Sequence, residues 1–118
     1  MQKMSRMELP AIVEKMYVLC RWLVQKVSKF PKDQRFILGH RIEAKSLDIL
    51  DNLIEAALLP RGQEKEALLR RINLQLEQLR FLIRMAKDGK YLSLRAYEYG
   101  MAHLLEIGKM LGGWIKSV

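Results

Sequence analysis

Three prolines and a few glycines divide this chain into four long stretches with helical periodicity. Pro31 and Pro60 separate stretches in which apolar residues recur at intervals of three and four, the spacing that keeps side chains on one face of an α-helix. Proline is tolerated in the first turn of a helix but not in its interior. Ser93 is placed to cap the last stretch. The sequence therefore predicts four helices, over about 10–29, 31–59, 63–87 and 93–117.

The same pattern fixes the expected fold class, because no stretch shows the alternation of a sheet strand. Connections of a few residues make consecutive helices lie antiparallel. We predict an all-α, up-down-up-down four-helix bundle in which residues 1–118 form a single domain. The expected core stripes are Val13, Met16, Cys20, Leu23, Val24 and Val27; Leu38, Ile42, Ile49, Leu53 and Ala56; Leu68, Ile72, Leu76, Leu79, Ile83 and Ala86; and Tyr97, Met101, Leu104, Leu111 and Ile115.

Three of the predicted helices carry further apolar side chains outside these stripes. A bundle helix needs one such stripe, and the additional side chains would form larger exposed patches than a monomer usually has. We therefore expect a homo-oligomer. The alternative is a wider core that takes up both sets of side chains within one chain. The expected interface residues are Leu74, Phe81, Met85, Phe36, Leu47, Ile54 and Trp22.

The net charge of +8 is unevenly distributed. Residues 1–30 and residues 61–92 each carry an excess of four positive charges, whereas residues 31–60 carry one excess negative charge. A field of this kind favours polyanions such as nucleic acid, or an acidic protein surface. It is also compatible with a charge that only keeps the protein in solution.

Basic residues of the third predicted helix lie close together around its axis. Arg80, Arg84 and Lys87 follow one another at intervals of about one turn. Arginine grips phosphates bidentately, and such a row can follow a nucleic-acid backbone without reading bases. The alternative is a solvated face with ion pairs, such as Glu77 with Arg80 or Arg84. The candidate contacts are Arg80, Arg84, Lys87, Arg70, Arg71 and Arg95.

Residues that could catalyse a reaction or bind a metal give little support for either role. The His-x-x-Glu pairs at His40 and His103 reverse the Glu-x-x-His order of di-iron bundles. Both pairs lie off the predicted core stripes, so we interpret the histidines as surface residues. Cys20 stands alone and is expected to be a buried apolar side chain. We expect no enzyme, no metal and no cofactor.

Two further features concern the ends of the chain. No apolar run approaches the roughly 20 residues that span a bilayer, and residues 1–10 lack the apolar block of a secretory signal. We therefore expect a cytoplasmic protein with no membrane partner.

Near the end of the chain, Gly108, Gly112 and Gly113 lie inside a predicted helix, where each glycine costs about 1 kcal/mol relative to alanine. They indicate close backbone approach, either of helix against helix inside the bundle, which we favour, or of subunit against subunit.

Three sequence blocks resemble those of a known family. They are FPKDQRFILG at residues 30–39, LRFLIRMAK at residues 79–87 and EIGKMLGGWIK at residues 106–116. With these blocks the chain resembles the accessory variability determinant (Avd) proteins of diversity-generating retroelements. Those proteins are relatives of the four-helix bundles encoded in intervening sequences of bacterial large-subunit rRNA genes. The latter often end their second helix with a glycine that residues 52–56 lack, which favours the retroelement group.

The resemblance implies a specific set of properties. It implies a pentameric barrel with a basic surface, binding of RNA and DNA with little sequence preference, and association with the retroelement reverse transcriptase. In that system the accessory protein supports mutagenic cDNA synthesis from template-repeat RNA, and the polymerase does the chemistry. Arg80 and Arg84 match the family's Leu-Arg-Phe-x-x-Arg block, which implies a nucleic-acid or polymerase contact for both. The alternative is an interaction bundle of the intervening-sequence type without a polymerase partner.

Overall fold

The computed structural model describes residues 9–118, and this part of the chain contains four helices and no strands. Helix α1 spans Ala11–Val27, and helix α2 consists of Lys32–Gln34, a π-helical turn at Arg35–Gly39 and His40–Leu58. Helix α3 spans Gln63–Asp88 and helix α4 spans Leu94–Lys116. The helices begin and end within two residues of the predicted bounds, and the all-α class is confirmed.

The helix ends follow from local chemistry. The Ser93 hydroxyl accepts a hydrogen bond from the Ala96 N–H at 3.0 Å, which caps α4 as predicted. After α3, Lys90 rather than Gly89 takes the positive φ, at 66°. Gly89 is needed there for a different reason, because a Cβ atom at this position would lie 2.5 Å from the Tyr91 ring. The turn into α4 therefore depends on close packing of an aromatic ring against the backbone.

The π-helical turn changes the direction in which the start of α2 faces. A π-turn inserts one extra residue into the helical repeat, so it shifts the register of the side chains around the axis. Leu38 and Gly39 face inward, and Phe36 and Ile37 are exposed. Gly39 is tightly enclosed, because a Cβ atom there would lie 2.6 Å from Val27 Cγ1. The close approach of α1 and α2 at this point thus requires glycine.

Each helix packs against two others, α1 and α3 both lying against α2 and α4. Between α2 and α3, the Lys45 ammonium donates to the Gln78 side chain at 2.8 Å, and the Asn52 amide donates to Gln75 at 3.0 Å. Residue numbers rise along α2 as they fall along α3. This part of the chain measures 44 × 28 × 21 Å, with one hydrophobic core between the helices.

The core contains most of the predicted stripe residues, with one error. Val24 is 41% exposed. It lies about 80° around the helix from Met16, at the edge of the arc that faces the core. Leu19, Leu69 and Ile107 are fully buried but were not predicted. The predicted stripe residues that are only half-buried lie at the rim of the core: Leu68, Tyr97, Met101 and Ile115.

Within residues 9–118, none of the helices combines the length and the apolar character that a bilayer-spanning segment needs.

Candidate nucleic-acid interface

The basic residues predicted on α3 are not equivalent in the structure. Arg84 is exposed, whereas the Arg80 side chain is only 29% exposed and Lys87 is partly buried. Arg70 and Arg71 lie on the exposed surface of the first half of α3, and Arg95 lies in the first turn of α4. Three of these side chains, Arg80, Arg84 and Lys87, cluster where α3 meets α4.

Arg80 links α3 to α4. One guanidinium nitrogen, Nη1, pairs with the Glu77 carboxylate on the same helix. The other, Nη2, donates to the Leu104 carbonyl oxygen on α4 at 3.3 Å. Gly108 makes room for this group, because a Cβ atom there would lie 3.1 Å from Nη2. Arg80 therefore has a structural role that its place in an exposed basic row did not indicate.

Arg84 is bound much less firmly. Its Nε atom lies 3.8 Å from Asp88 Oδ2, and its guanidinium carbon lies 5.9 Å from the centre of the Phe81 ring. Its side chain is 57% exposed, and exposed ion pairs of this kind contribute little to stability. The Arg84 guanidinium is therefore available to an incoming anion at small cost.

Lys87 lies between a carboxylate and an aromatic ring. Its Nζ atom is 3.3 Å from Asp88 Oδ1 and 4.7 Å from the centre of the Tyr97 ring on α4. Ammonium groups are attracted to aromatic faces at this distance. The ammonium group of Lys87, on α3, therefore lies against a side chain of α4.

The other three candidates differ in whether they have a carboxylate partner. Arg70 donates from Nε and Nη2 to one oxygen of Glu66, at 3.1 and 3.0 Å. Arg71 and Arg95 are exposed, and in residues 9–118 neither has a carboxylate within 4.0 Å. Of these three arginines, Arg71 and Arg95 are therefore the more accessible to a phosphate.

A small pocket accompanies this cluster on the seam between α3 and α4. We call it the α3/α4 pocket; its volume is about 190 Å³, and its lining residues are Glu77, Arg80, Phe81, Arg84, Tyr97 and Met101. Two aromatic rings, two guanidinium groups and one carboxylate therefore line one opening. The carboxylate is already paired with Arg80.

The other side of α3 faces α2 and has a different character. Two clefts of about 680 and 340 Å³ share Arg41 and Leu82 and form one groove, which we call the α2/α3 groove. Its exposed apolar side chains are Ile37, Phe81 and Met85. Ile37 was not among the predicted interface residues. The signal for it was the pair Phe36 and Ile37, since two successive apolar residues on a helix do not both face one core.

The seven residues predicted at a subunit interface fall into two groups. Ile54 and Trp22 pack partly against the core of their own chain, and the Trp22 ring lies 4.8 Å from that of Tyr99. The other five lie outside the core, so a single wide core does not take them up: Leu74, Phe81, Met85, Phe36 and Leu47.

Comparison with known protein families shows which family the chain belongs to. A family model described as bAvd-like matches residues 11–118. The chain belongs to the bAvd-like family. This match confirms the resemblance to Avd proteins, whose family is one of accessory, non-catalytic proteins. No curated protein and no solved structure matches the chain.

Cys20 is the one cysteine of this bAvd-like chain. Cys20 is buried, as predicted, and its Sγ donates to the Ser46 carbonyl at 3.2 Å. Burial raises the pKa of the Cys20 thiol to about 11, against the smaller lowering effect of the Ser46 side chain. The thiol is therefore neutral and unreactive near pH 7.

The two histidines differ. His40 is exposed, as predicted, whereas His103 is half-buried. The His103 ring packs 4.5 Å from the Tyr99 ring, and its Nδ1 atom is buried without a hydrogen-bond partner in the described part of the chain. Residues 9–118 contain no cluster of three or more potential metal ligands.

The glycines of α4 are also not equivalent. Gly108 faces another helix of the bundle, but the group that approaches it is the Arg80 guanidinium and not the backbone that we expected. At Gly112 and Gly113 the expected approach within the bundle is wrong, because in residues 9–118 no other group lies within 4 Å of where a Cβ atom would be. Approach between subunits stays a prediction there.

Proposed function

We propose that this protein is a non-catalytic, nucleic-acid-binding accessory subunit of a diversity-generating retroelement reverse transcriptase. It supports mutagenic cDNA synthesis from template-repeat RNA, and the polymerase carries out the chemistry. The observation that carries the proposal is membership of the bAvd-like family over residues 11–118. The basic cluster where α3 meets α4 is consistent with it, because phosphate backbones are bound mainly by arginine and lysine.

The proposed phosphate contacts differ in whether the side chain must first leave a carboxylate partner. Arg84, Arg71 and Arg95 are exposed and reach phosphates directly. Arg70 exchanges its Glu66 partner for a phosphate, and Lys87 does the same with Asp88. Arg80 presents its remaining N–H groups while it holds α4 in place. Such contacts position a nucleic acid but do not read its sequence.

The proposed assembly is a homopentamer of up-down-up-down bundles in the cytoplasm. Contacts such as Lys15 with Glu106, at 3.1 Å, and Phe30 with Tyr91 support antiparallel packing of α1 and α4. Subunits meet through the exposed apolar side chains of α2 and α3 and through Ile54 and Trp22, of which Trp22 lies on the seam between α1 and α4. A ring of subunits repeats the basic cluster around the assembly, which increases binding to a long polyanion through avidity.

Co-purification with the polymerase tests the proposal. The wild-type protein, Arg84→Ala and the control Arg35→Ala are each expressed with the neighbouring reverse transcriptase and its template RNA. Arg35 is exposed on α2, within the segment that carries a net negative charge. We expect wild type and Arg35→Ala to capture the polymerase and RNA and to support cDNA synthesis, and Arg84→Ala to be impaired.

Two results would contradict the proposal. If the wild-type protein captures neither polymerase nor RNA, the chain acts as an interaction bundle of the intervening-sequence type. If Arg84→Ala supports synthesis as well as Arg35→Ala does at physiological salt, the assignment of Arg84 is wrong.

A further inference from the structure

We propose that the α3/α4 pocket holds one unpaired base of single-stranded RNA or DNA, so that the protein prefers single strands to duplexes. The inference rests on the proposed function and specifies which form of nucleic acid the site takes. It begins from the combination of aromatic and basic side chains in one opening, which a site for phosphates alone would not need.

The pocket contains the two kinds of group that single-strand binding requires. Tyr97 and Phe81 supply aromatic surface, and Met101 supplies an apolar wall. Bases stack on aromatic side chains whatever their identity, because every base has a π-face. A volume of about 190 Å³ admits one heterocycle of nucleobase size but not a base pair. Stacked bases within a duplex keep their faces covered, so a duplex cannot use this surface.

The cations lie where the phosphates next to a stacked base would be. Arg84 lies over the Phe81 ring at 5.9 Å, and Lys87 lies over the Tyr97 ring at 4.7 Å. Arg84 lines the pocket and its side chain is 57% exposed, whereas Lys87 is partly buried beside the pocket residue Tyr97. In the proposed complex each cation moves off its ring to contact a backbone phosphate, and the adjoining base takes its place on the aromatic surface.

The charge balance of the pocket also favours an anion. Arg80 and Arg84 contribute two positive charges, and Glu77 contributes one negative charge. Glu77 is paired with Arg80, which the Leu104 carbonyl also holds. The cation left in excess is Arg84, whose contact with Asp88 is long and exposed. The pocket therefore has a neutralised side, at Arg80 and Glu77, and an exposed positive side, at Arg84.

Fluorescence anisotropy of the full-length protein tests this inference. The probes are labelled oligouridine, oligothymidine and an RNA duplex of the same length, at physiological salt. We expect tighter binding of both single strands than of the duplex. Tyr97→Leu, which removes the ring but keeps an apolar side chain, should weaken single-strand binding about five- to tenfold and leave duplex binding unchanged.

Two variants serve as controls. Tyr97→Phe retains the ring and should bind as wild type does. Tyr99→Leu removes a half-exposed ring from the opposite seam of the same helix and should also bind single strands normally. Phe81 is left intact because it also lines the α2/α3 groove. Thermal melting checks that each variant is folded.

A measurement on the wild-type protein avoids dependence on a folded variant. Oligonucleotides with 5-iodouracil are cross-linked by ultraviolet light, and the attached peptides are identified by mass spectrometry. Attachment to Tyr97 or Phe81 is expected, and attachment only elsewhere would overturn the inference. Equal binding of single strands and duplex, unchanged in Tyr97→Leu, would overturn it while leaving the proposed nucleic-acid role intact. Absence of binding to all three probes would overturn both.

Discussion

The two sides of α3 expose different kinds of chemistry. Towards α2, the α2/α3 groove presents exposed apolar side chains, with Met85 60% exposed. Towards α4, the α3/α4 pocket presents arginines with aromatic rings. Phe81 is 63% exposed and lines both. In the proposed function, one helix thus carries a surface for other protein chains next to a surface for a polyanion, since Arg84 and Met85 lie about 100° apart around its axis.

The largest expected effect comes from a substitution in the apolar α2/α3 groove. Met85→Asp places a carboxylate in the middle of the α2/α3 groove, where it would be desolvated at a subunit contact. We expect the oligomer to dissociate to single chains while each chain remains folded, since Met85 is exposed. Size-exclusion chromatography with multi-angle light scattering at micromolar concentration measures this.

Leu105→Asp is the matched control, because Leu105 is an exposed leucine of α4 that lines neither the groove nor the pocket. It should leave the mass unchanged. A wild-type protein that is monomeric under these conditions, or a Met85→Asp protein of unchanged mass, would refute the apolar interface.

A smaller effect separates the two arginines of the basic side. Arg80→Ala removes the hydrogen bond to the Leu104 carbonyl and should lower the free energy of unfolding by about 1 kcal/mol, a few degrees in Tm. Arg84→Ala should change stability by less than about 0.5 kcal/mol, because its ion pair is exposed. It should nevertheless weaken nucleic-acid binding and reduce the slope of log affinity against log salt by about one.

Thermal melting and salt titration of the two variants check this contrast. Equal melting temperatures would show that Arg80 does not link α3 to α4. An unchanged salt dependence in Arg84→Ala would show that Arg84 contacts no phosphate.

The smallest effect concerns two glycines of α4, Gly108 and Gly112. Gly112→Ala should raise the free energy of unfolding by about 0.5 to 1 kcal/mol, since alanine favours the helix and meets no neighbour. Gly108→Ala should gain less, because its methyl group presses on the Arg80 guanidinium. Denaturant titration compares the two, and an equal gain in both would mean that Gly108 is not needed to accommodate Arg80.

Much of the fold was readable from residue type and spacing. Pro31, Pro60 and Ser93 mark helix ends through effects within a single turn, and the deepest stripe residues, such as Ile49 and Leu79, follow from helical periodicity. Val24 was misassigned because a stripe shows the direction of the core but not how wide an arc the neighbouring helices cover. Leu19 and Ile107 were missed for the same reason.

The candidate site was only partly readable in this way. Arg84 is exposed as a basic row predicts, but the link from Arg80 to the Leu104 carbonyl joins residues 24 positions apart. Tyr97 was assigned to the core stripe, since no pattern within α4 shows that Arg84 and Lys87 from another helix reach its surroundings. His103 was predicted at the surface but is half-buried against Tyr99, whose ring contacts Trp22 of α1, and no spacing within α4 shows that contact.

The sequence by itself determined the helical class, the approximate helix limits and the family, because these depend on local dihedral preferences, periodicity and short residue blocks. Only the tertiary structure decided which polar and aromatic side chains meet. The π-turn that exposes Ile37 and the space that Gly108 leaves for Arg80 both arise where helices approach each other. Their geometry is set by packing between distant parts of the chain, for which local sequence carries no separate signal.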